Sequence, residues 1–241
     1  MAKRRVSLTL EESLVNRLDD RADREGNNRS ETVSTMLREQ LGERQVSEAV
    51  VFCGDERCLS RHGDQQILSM TLRNLEENDV DSAYLLSGMD RLDDQLEYQG
   101  GIQLEIVGDE GEGTGSALEL LRDRIDTVFA ALNGHVYAGV DLKEMRKFHS
   151  EQEGAVTMAL RPTNEPSSYG VADLKGNRIQ GFVHQPQPGE EPSHLINAGF
   201  YVMSPRVFGE IGSSDLDAVF ERLASEDKLS GYVYGGDWFE A

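Results

Sequence analysis

Residues 48–87, EAVVFCGDERCLSRHGDQQILSMTLRNLEENDVDSAYLLS, open on a continuous apolar run, Ala49–Cys53 (AVVFC). A strand buried on both faces of a sheet reads this way, without polar alternation. Residues 67–77 follow, with Ile67, Leu68, Met70, Thr71, Leu72 and Leu75 forming the broad inner face of a helix. Ser82–Ser87 (SAYLLS) is a second strand. Strand, helix and strand joined in this way predict a parallel pair with a crossover. The alternation continues outward: helix 92–98, strand 102–107, helix 115–124, strand 127–132, helix 142–152 and strand 155–161. Helices between apolar strands predict an α/β domain whose sheet is covered on both faces. After Tyr169 the style changes to short strands and turns, YGVADL, KGNRIQGFV and INAGFYVMSP, which predicts a mixed sheet with an antiparallel region.

In order and spacing, residues 48–241 resemble the sugar-phosphate nucleotidyltransferases, a Rossmann-like family that joins a nucleoside triphosphate to a sugar phosphate. The resemblance rests on Leu72–Val80 (LRNLEENDV) before YLLSG, on Gly113-Thr114 in GTGSAL, and on Asn133-Gly134-His135 closing a strand. It rests also on Tyr169-Gly170-Val171, on Asn197-Ala198-Gly199-Phe200-Tyr201, and on GDWFE at residues 236–240. It implies a pocket lined by these motifs and by Gly54 and Arg57 of the first loop. It further implies phosphate neutralisation by a Gly-rich loop, lysines, and carboxylates on Mg²⁺.

Here that chemistry is depleted. The loop reads Phe52-Cys53-Gly54-Asp55-Glu56-Arg57, with two carboxylates where phosphate should meet backbone N–H groups. Gly63-Asp64-Gln65 stands where the family writes Gly-Lys-Pro, His135 stands for a metal-binding Asp, and His184-Gln185-Pro186 for Glu-Lys-Pro. Glu240 stands for the last metal carboxylate. Each lost electrostatic group costs roughly 10²–10³ in rate, so a degenerate enzyme domain without catalytic residues, metal or cofactor is expected. His135 and His184 leave two readings open, a remodelled pocket for another ligand or a dead cleft. His62, His149 and His194 read as surface residues and Trp238 as a core anchor. Cys53 and Cys58 read as buried small hydrophobes.

The first forty residues have another character. Val6, Leu8 and Leu10 alternate with Arg5, Ser7 and Thr9, as in a strand with one apolar and one polar face. Leu14, Leu18 and Ala22 then form one helical stripe, Gly26 is a stop, and Asn28 with Glu31 reads as a capping box. Val33, Met36, Leu37 and Leu41 supply a second stripe. Residues 3–42 resemble the ribbon-helix-helix DNA-binding regulators, in which two chains pair their strands into a ribbon for the major groove. The resemblance implies base contacts from Arg5, Ser7 and Thr9. It also implies phosphate contacts from Lys3 and Arg4 and from the helix start at Asn28, Arg29 and Ser30.

The net charge of −20 falls wholly on residues 46–241, which hold fifteen Lys/Arg against thirty-five Asp/Glu. Residues 1–45 hold nine of each. Any DNA contact must therefore come from the locally basic N-terminus. Five lysines beside nineteen arginines and forty-four carboxylates suit a high-salt cytoplasm such as a halophilic archaeon's, with an ordinary acidic protein as the alternative. No apolar run approaches a membrane span or a signal peptide, so a cytoplasmic protein without membrane contact is expected.

The expected organisation is a ribbon-helix-helix domain over 1–43 and a nucleotidyltransferase-like α/β domain over 48–241, joined by a short polar segment. The expected function is a homodimeric transcription regulator that binds double-stranded DNA through the ribbon. Its second domain would sense a small nucleotide or sugar ligand or drive assembly. Two alternatives stay open: an active sugar-phosphate nucleotidyltransferase dimerised by its arm, and an antitoxin-like partner protein.

Overall fold

The computed structural model describes residues 9–25, 28–41, 45–212 and 215–241 and separates into two compact units, Met1–Arg44 and Gln45–Ala241. In the first unit, helices α1 (Glu12–Glu25) and α2 (Arg29–Leu41) pack on one another. Leu18 and Ala22 of the α1 stripe are buried, whereas Leu14 is 43% exposed. Thr32 is buried on α2, and its hydroxyl donates to the Asn28 carbonyl at 3.2 Å.

The ribbon strand with Lys3, Arg4, Arg5 and Ser7 lies outside the described residues. Thr9 is exposed and irregular. Arg29 donates through Nε to Asp19 Oδ1 at 2.6 Å, which ties the first turn of α2 to α1. Asn28 and Ser30 are exposed beside it.

The second unit begins with β1 (Glu48–Phe52), a short 3-10 turn at Glu56–Leu59 and the hairpin β2 (Arg61–His62) and β3 (Gln65–Gln66). Then come α3 (Ile67–Glu77), β4 (Ser82–Ser87), α4 (Leu92–Gln95), β5 (Gln103–Gly108), α5 (Thr114–Glu119), β6 (Phe129–Asn133), β7 (Val136–Ala138) and α6 (Leu142–Ser150). The chain continues through β8 (Val156–Pro162), β9 (Gly170–Lys175), β10 (Arg178–His184) and β11 (Leu195–Met203). It ends with α7 (Leu216–Ser225), β12 (Leu229–Val233) and β13 (Trp238–Glu240).

Among the described residues, nine strands form one mixed sheet in the order β5-β4-β1-β6-β11-β8-β12-β10-β9. β5, β4, β1 and β6 are mutually parallel, and β11 runs antiparallel to both β6 and β8. The apolar run of β1 explains its place at the centre. Val50 and Phe52 enter one buried cluster with Leu118, Met158 and Phe220, while Ala49 and Val51 enter the other with Leu68, Leu72 and Leu142. Successive side chains of a strand point to opposite faces, so both must be apolar when helices cover both. α5 and α7 contribute to the first cluster, α3 and α6 to the second.

Two expectations change. The segment after Tyr169 contains a ten-residue helix, α7, and not only strands and turns. Its inner face, Leu216, Val219, Phe220 and Leu223, is buried, and Asp215 caps it by accepting from the Asp217 N–H at 3.1 Å. His149 is not a surface residue: it is 4% exposed on α6, with Nδ1 2.8 Å from Thr157 Oγ1. Burial pushes its pKa down to about 3, helped by the charges of Arg146 and Arg206. Cys53 and Cys58 are buried free thiols. Among the described residues, no helix is long and apolar enough to cross a membrane.

Candidate functional site

From β1 the chain reaches β4 on one side of it and later returns to β6 on the other, all three parallel. Connections that diverge in this way leave a crevice outside the carboxyl ends of the two strands, the usual ligand position in open α/β sheets. β1 runs into the loop that carries Arg57, and β6 runs into the turn that carries His135. Both side chains line a cleft of about 400 Å³.

The cleft has a loop end and a far end. At the loop end, Glu240 joins Arg57 and His135, because β13 pairs with β7 and sets Glu240 opposite Val136. At the far end stand His184 at the close of β10, Asp217 and Phe220 on α7, and Tyr201 on β11. Tyr169, Asn197 and Trp238 line the stretch between. Gly170 is required there, since a Cβ would lie 2.4 Å from Phe182 Cζ. Gly199 has a φ of +69° and a Cβ on it would meet Asn133 Nδ2 at 3.0 Å, so glycine is required there too.

Most polar groups in the loop half are already engaged. Asp55 caps the 3-10 turn, accepting from the Arg57 N–H at 2.9 Å and also from Arg57 Nε and Nη2 at 3.0 and 2.9 Å. The Arg57 hydrogen bond holds the Asp55 carboxyl below the usual carboxylate range. Burial pushes His135 down, toward its neutral form, and the charge of Arg57 acts in the same direction. Burial raises the Tyr169 phenol, and the charge of Glu240 acts in the same direction.

The central groups are held as firmly. Asn197 donates from Nδ2 to the Tyr201 hydroxyl at 2.7 Å and accepts from the Gly199 N–H at 3.0 Å, so its amide is spent on the fold. Trp238 donates from Nε1 to the Ala198 carbonyl at 3.1 Å, and the Arg161 guanidinium lies 4.8 Å from its ring centre. It anchors the cleft wall.

At the far end, His184 Nδ1 lies 3.0 Å from Asp217 Oδ2. Burial raises the Asp217 carboxyl, and the charge of His184 opposes that rise. Thr114 Oγ1 donates to Asp215 Oδ1 at 3.2 Å and accepts from the Leu216 N–H at 3.1 Å, joining the start of α5 to the start of α7.

Of the residues expected from sequence, Arg57, Thr114, His135, Tyr169, Gly170, His184, Asn197 and Glu240 line this one cleft. Gly54 and Gly113 fall outside the lining, Gly54 on an exposed loop and Gly113 as the residue before α5, at a φ of +119°. Asp217 and Phe220 were not expected. Their signal was the Leu216, Val219, Phe220, Leu223 spacing behind Asp215, which marks a capped amphipathic helix.

A dedicated Mg²⁺ cage does not fit these residues. Magnesium asks for oxygen donors in octahedral array. Here an imidazole stands beside Glu240, Asp55 is occupied by Arg57, and no group of three His, Cys, Asp or Glu among the described residues could hold an ion.

The nucleotidyl transferase family model matches residues 57–238, most of the second unit and three quarters of the chain. The chain belongs to the nucleotidyl transferase family. Mannose-1-phosphate guanylyltransferase 1 of Arabidopsis thaliana is 31% identical to this member over 137 residues, covering 53% of this chain and 37% of the relative. A mannose-1-phosphate guanyltransferase of Aspergillus oryzae is 30% identical over 156 residues, 61% of this chain and 42% of the relative. The family member described here thus spans about two fifths of the length of each. A crystal structure of a UDP-glucose pyrophosphorylase complexed with UDP-glucose shares the fold, with a TM-score of 0.68 at 14% identity, over 81% of this chain and 93% of that one.

These likenesses overturn the expectation of a DNA-binding transcription regulator. Relatives matching a little over half of this nucleotidyl transferase family chain are named as mannose-1-phosphate guanylyltransferases. Nothing among the described residues shows a DNA-reading ribbon. The expected nucleotidyltransferase-type mixed sheet is present.

Proposed function

We propose that this protein is a sugar-phosphate nucleotidyltransferase, with a hexose 1-phosphate and a nucleoside triphosphate as substrates. The observation that carries the reading is the cleft at the diverging carboxyl ends of β1 and β6, inside the span matched by the family model. In the reaction, an oxygen of the sugar phosphate attacks the α-phosphorus of the triphosphate. A new P–O bond forms, the bond to the bridging oxygen of the β-phosphate breaks, and pyrophosphate leaves. The relatives' names favour mannose 1-phosphate and GTP as the first pair to assay.

The chain's own residues would shape the site, fixing Trp238 and Tyr169 as walls and closing the far end with Phe220. The clamp of Asp55 on Arg57 favours a second reading, retention of a nucleotide sugar without turnover. Incubation of the full chain with mannose 1-phosphate, GTP and Mg²⁺, with pyrophosphate release as readout, decides between them. Release above a no-enzyme control supports the transferase. Absence of release with any hexose 1-phosphate and triphosphate pair, together with measurable nucleotide-sugar binding, would establish the second reading.

A further inference from the structure

Among the residues lining the cleft, Arg57, His135 and His184 are the basic side chains. An anionic ligand needs at least one of them as a counter-charge. Arg57 already spends Nε and Nη2 on Asp55. His135 is pushed toward its neutral form by burial and by the charge of Arg57. His184 is placed otherwise. The β9–β10 register sets it opposite Gly170, and α7 brings Asp217 to within 3.0 Å of its Nδ1. With Nδ1 given to Asp217, the other ring nitrogen, Nε2, remains for a ligand. When both nitrogens carry protons, the ring is a cation with one donor committed and one available.

We propose that His184, oriented by Asp217, is the group that holds the phosphate of a phosphorylated sugar in this cleft. The inference rests on the sugar-phosphate reading above and adds the residue. Asp217 acts as a positioning residue: it fixes the ring and supplies the carboxylate that accompanies the cation. The other ionisable groups facing the pair are Asp215 and Glu221, which add negative charge, and the buried Tyr201. Burial pushes the Tyr201 phenol far up, so it stays neutral over the range tested.

The test is calorimetric titration of the full chain with mannose 1-phosphate between pH 5.5 and 8.5. The neutral methyl mannoside serves as a control and GDP-mannose as a second ligand. With all ligands compared at the same pH, His184→Gln is expected to bind mannose 1-phosphate about tenfold more weakly than wild type, equivalent to roughly 1.4 kcal/mol, by loss of one charge-assisted bond. His184→Lys should restore affinity for the phosphate. Asp217→Asn should weaken mannose 1-phosphate binding by less than His184→Gln does.

If wild type binds mannose 1-phosphate and folded His184→Gln shows the same affinity, the inference is overturned and the sugar-phosphate reading stands. Folded His184→Lys that fails to bind would overturn it equally. If wild type binds neither mannose 1-phosphate nor GDP-mannose, both fall together.

Discussion

At the loop end of the cleft Arg57 is answered by Asp55, two residues away on the same turn, whereas at the far end His184 is answered by Asp217 from a separate helix. The first pair is local, solvent-exposed and closed on itself, with three donors of one arginine spent on one carboxylate. The second joins β10 to α7, and its carboxylate is largely taken out of water. Desolvation makes an ion pair depend on the whole surrounding fold, while an exposed pair contributes only about 0–1 kcal/mol. The cleft therefore meets a ligand with a self-neutralised loop on one side and a histidine–carboxylate contact between separate elements on the other.

The strongest way to break this contrast is to remove the packing under the far end. Phe220 is fully buried beneath it, with its ring 5.0 Å from Tyr201 and 6.1 Å from Phe182, centre to centre. Phe220→Ala is expected to destabilise the domain by about 3–5 kcal/mol in urea unfolding. A loss below about 1 kcal/mol would mean that the far end is not held by packing.

A histidine outside the cleft separates folding from ligand binding. His149 is neutral in the fold down to a pH of about 3, whereas an unfolded histidine takes up its proton near about 6.5. Between those values the unfolded chain holds the extra proton, so stability falls as pH drops, by up to roughly 1.4 kcal/mol per pH unit. His149→Gln should flatten that slope in pH-dependent thermal unfolding. It should leave the affinity for mannose 1-phosphate in place. A change in that affinity instead would blur the distinction between the two histidines.

The smallest effect is expected at the loop. Asp55→Asn removes one negative charge and releases Arg57, and binding of a nucleoside triphosphate should tighten about 3- to 10-fold, on the order of 1 kcal/mol. Unchanged affinity by calorimetry would show that phosphate does not approach this loop.

Much of this arrangement was legible in the chain. The uninterrupted apolar run of β1 and the helical spacing of α3 announced a covered parallel sheet, and both elements formed at the expected residues. His135, His184 and Glu240 were visible as cleft residues by their place in the motif order. α7 was passed over because the short strands and turns before it set the reading, although Asp215 and its apolar spacing carry a helix signal. His149 read as a surface residue because no motif placed it in the pocket. Its burial depends on Thr157 of β8, a contact no local pattern encodes.

The sequence by itself determined the elements, the two apolar faces of the sheet and the Asp55–Arg57 clamp. Each depends on residues within a turn or a strand of one another. Only the tertiary structure decided that Asp217 would stand beside His184, that His149 would meet Thr157, and that the cleft's basic groups would be so unequally engaged. Those outcomes turn on which distant groups share a desolvated space, and charge and hydrogen-bond energies are set by that neighbourhood and its exclusion of water.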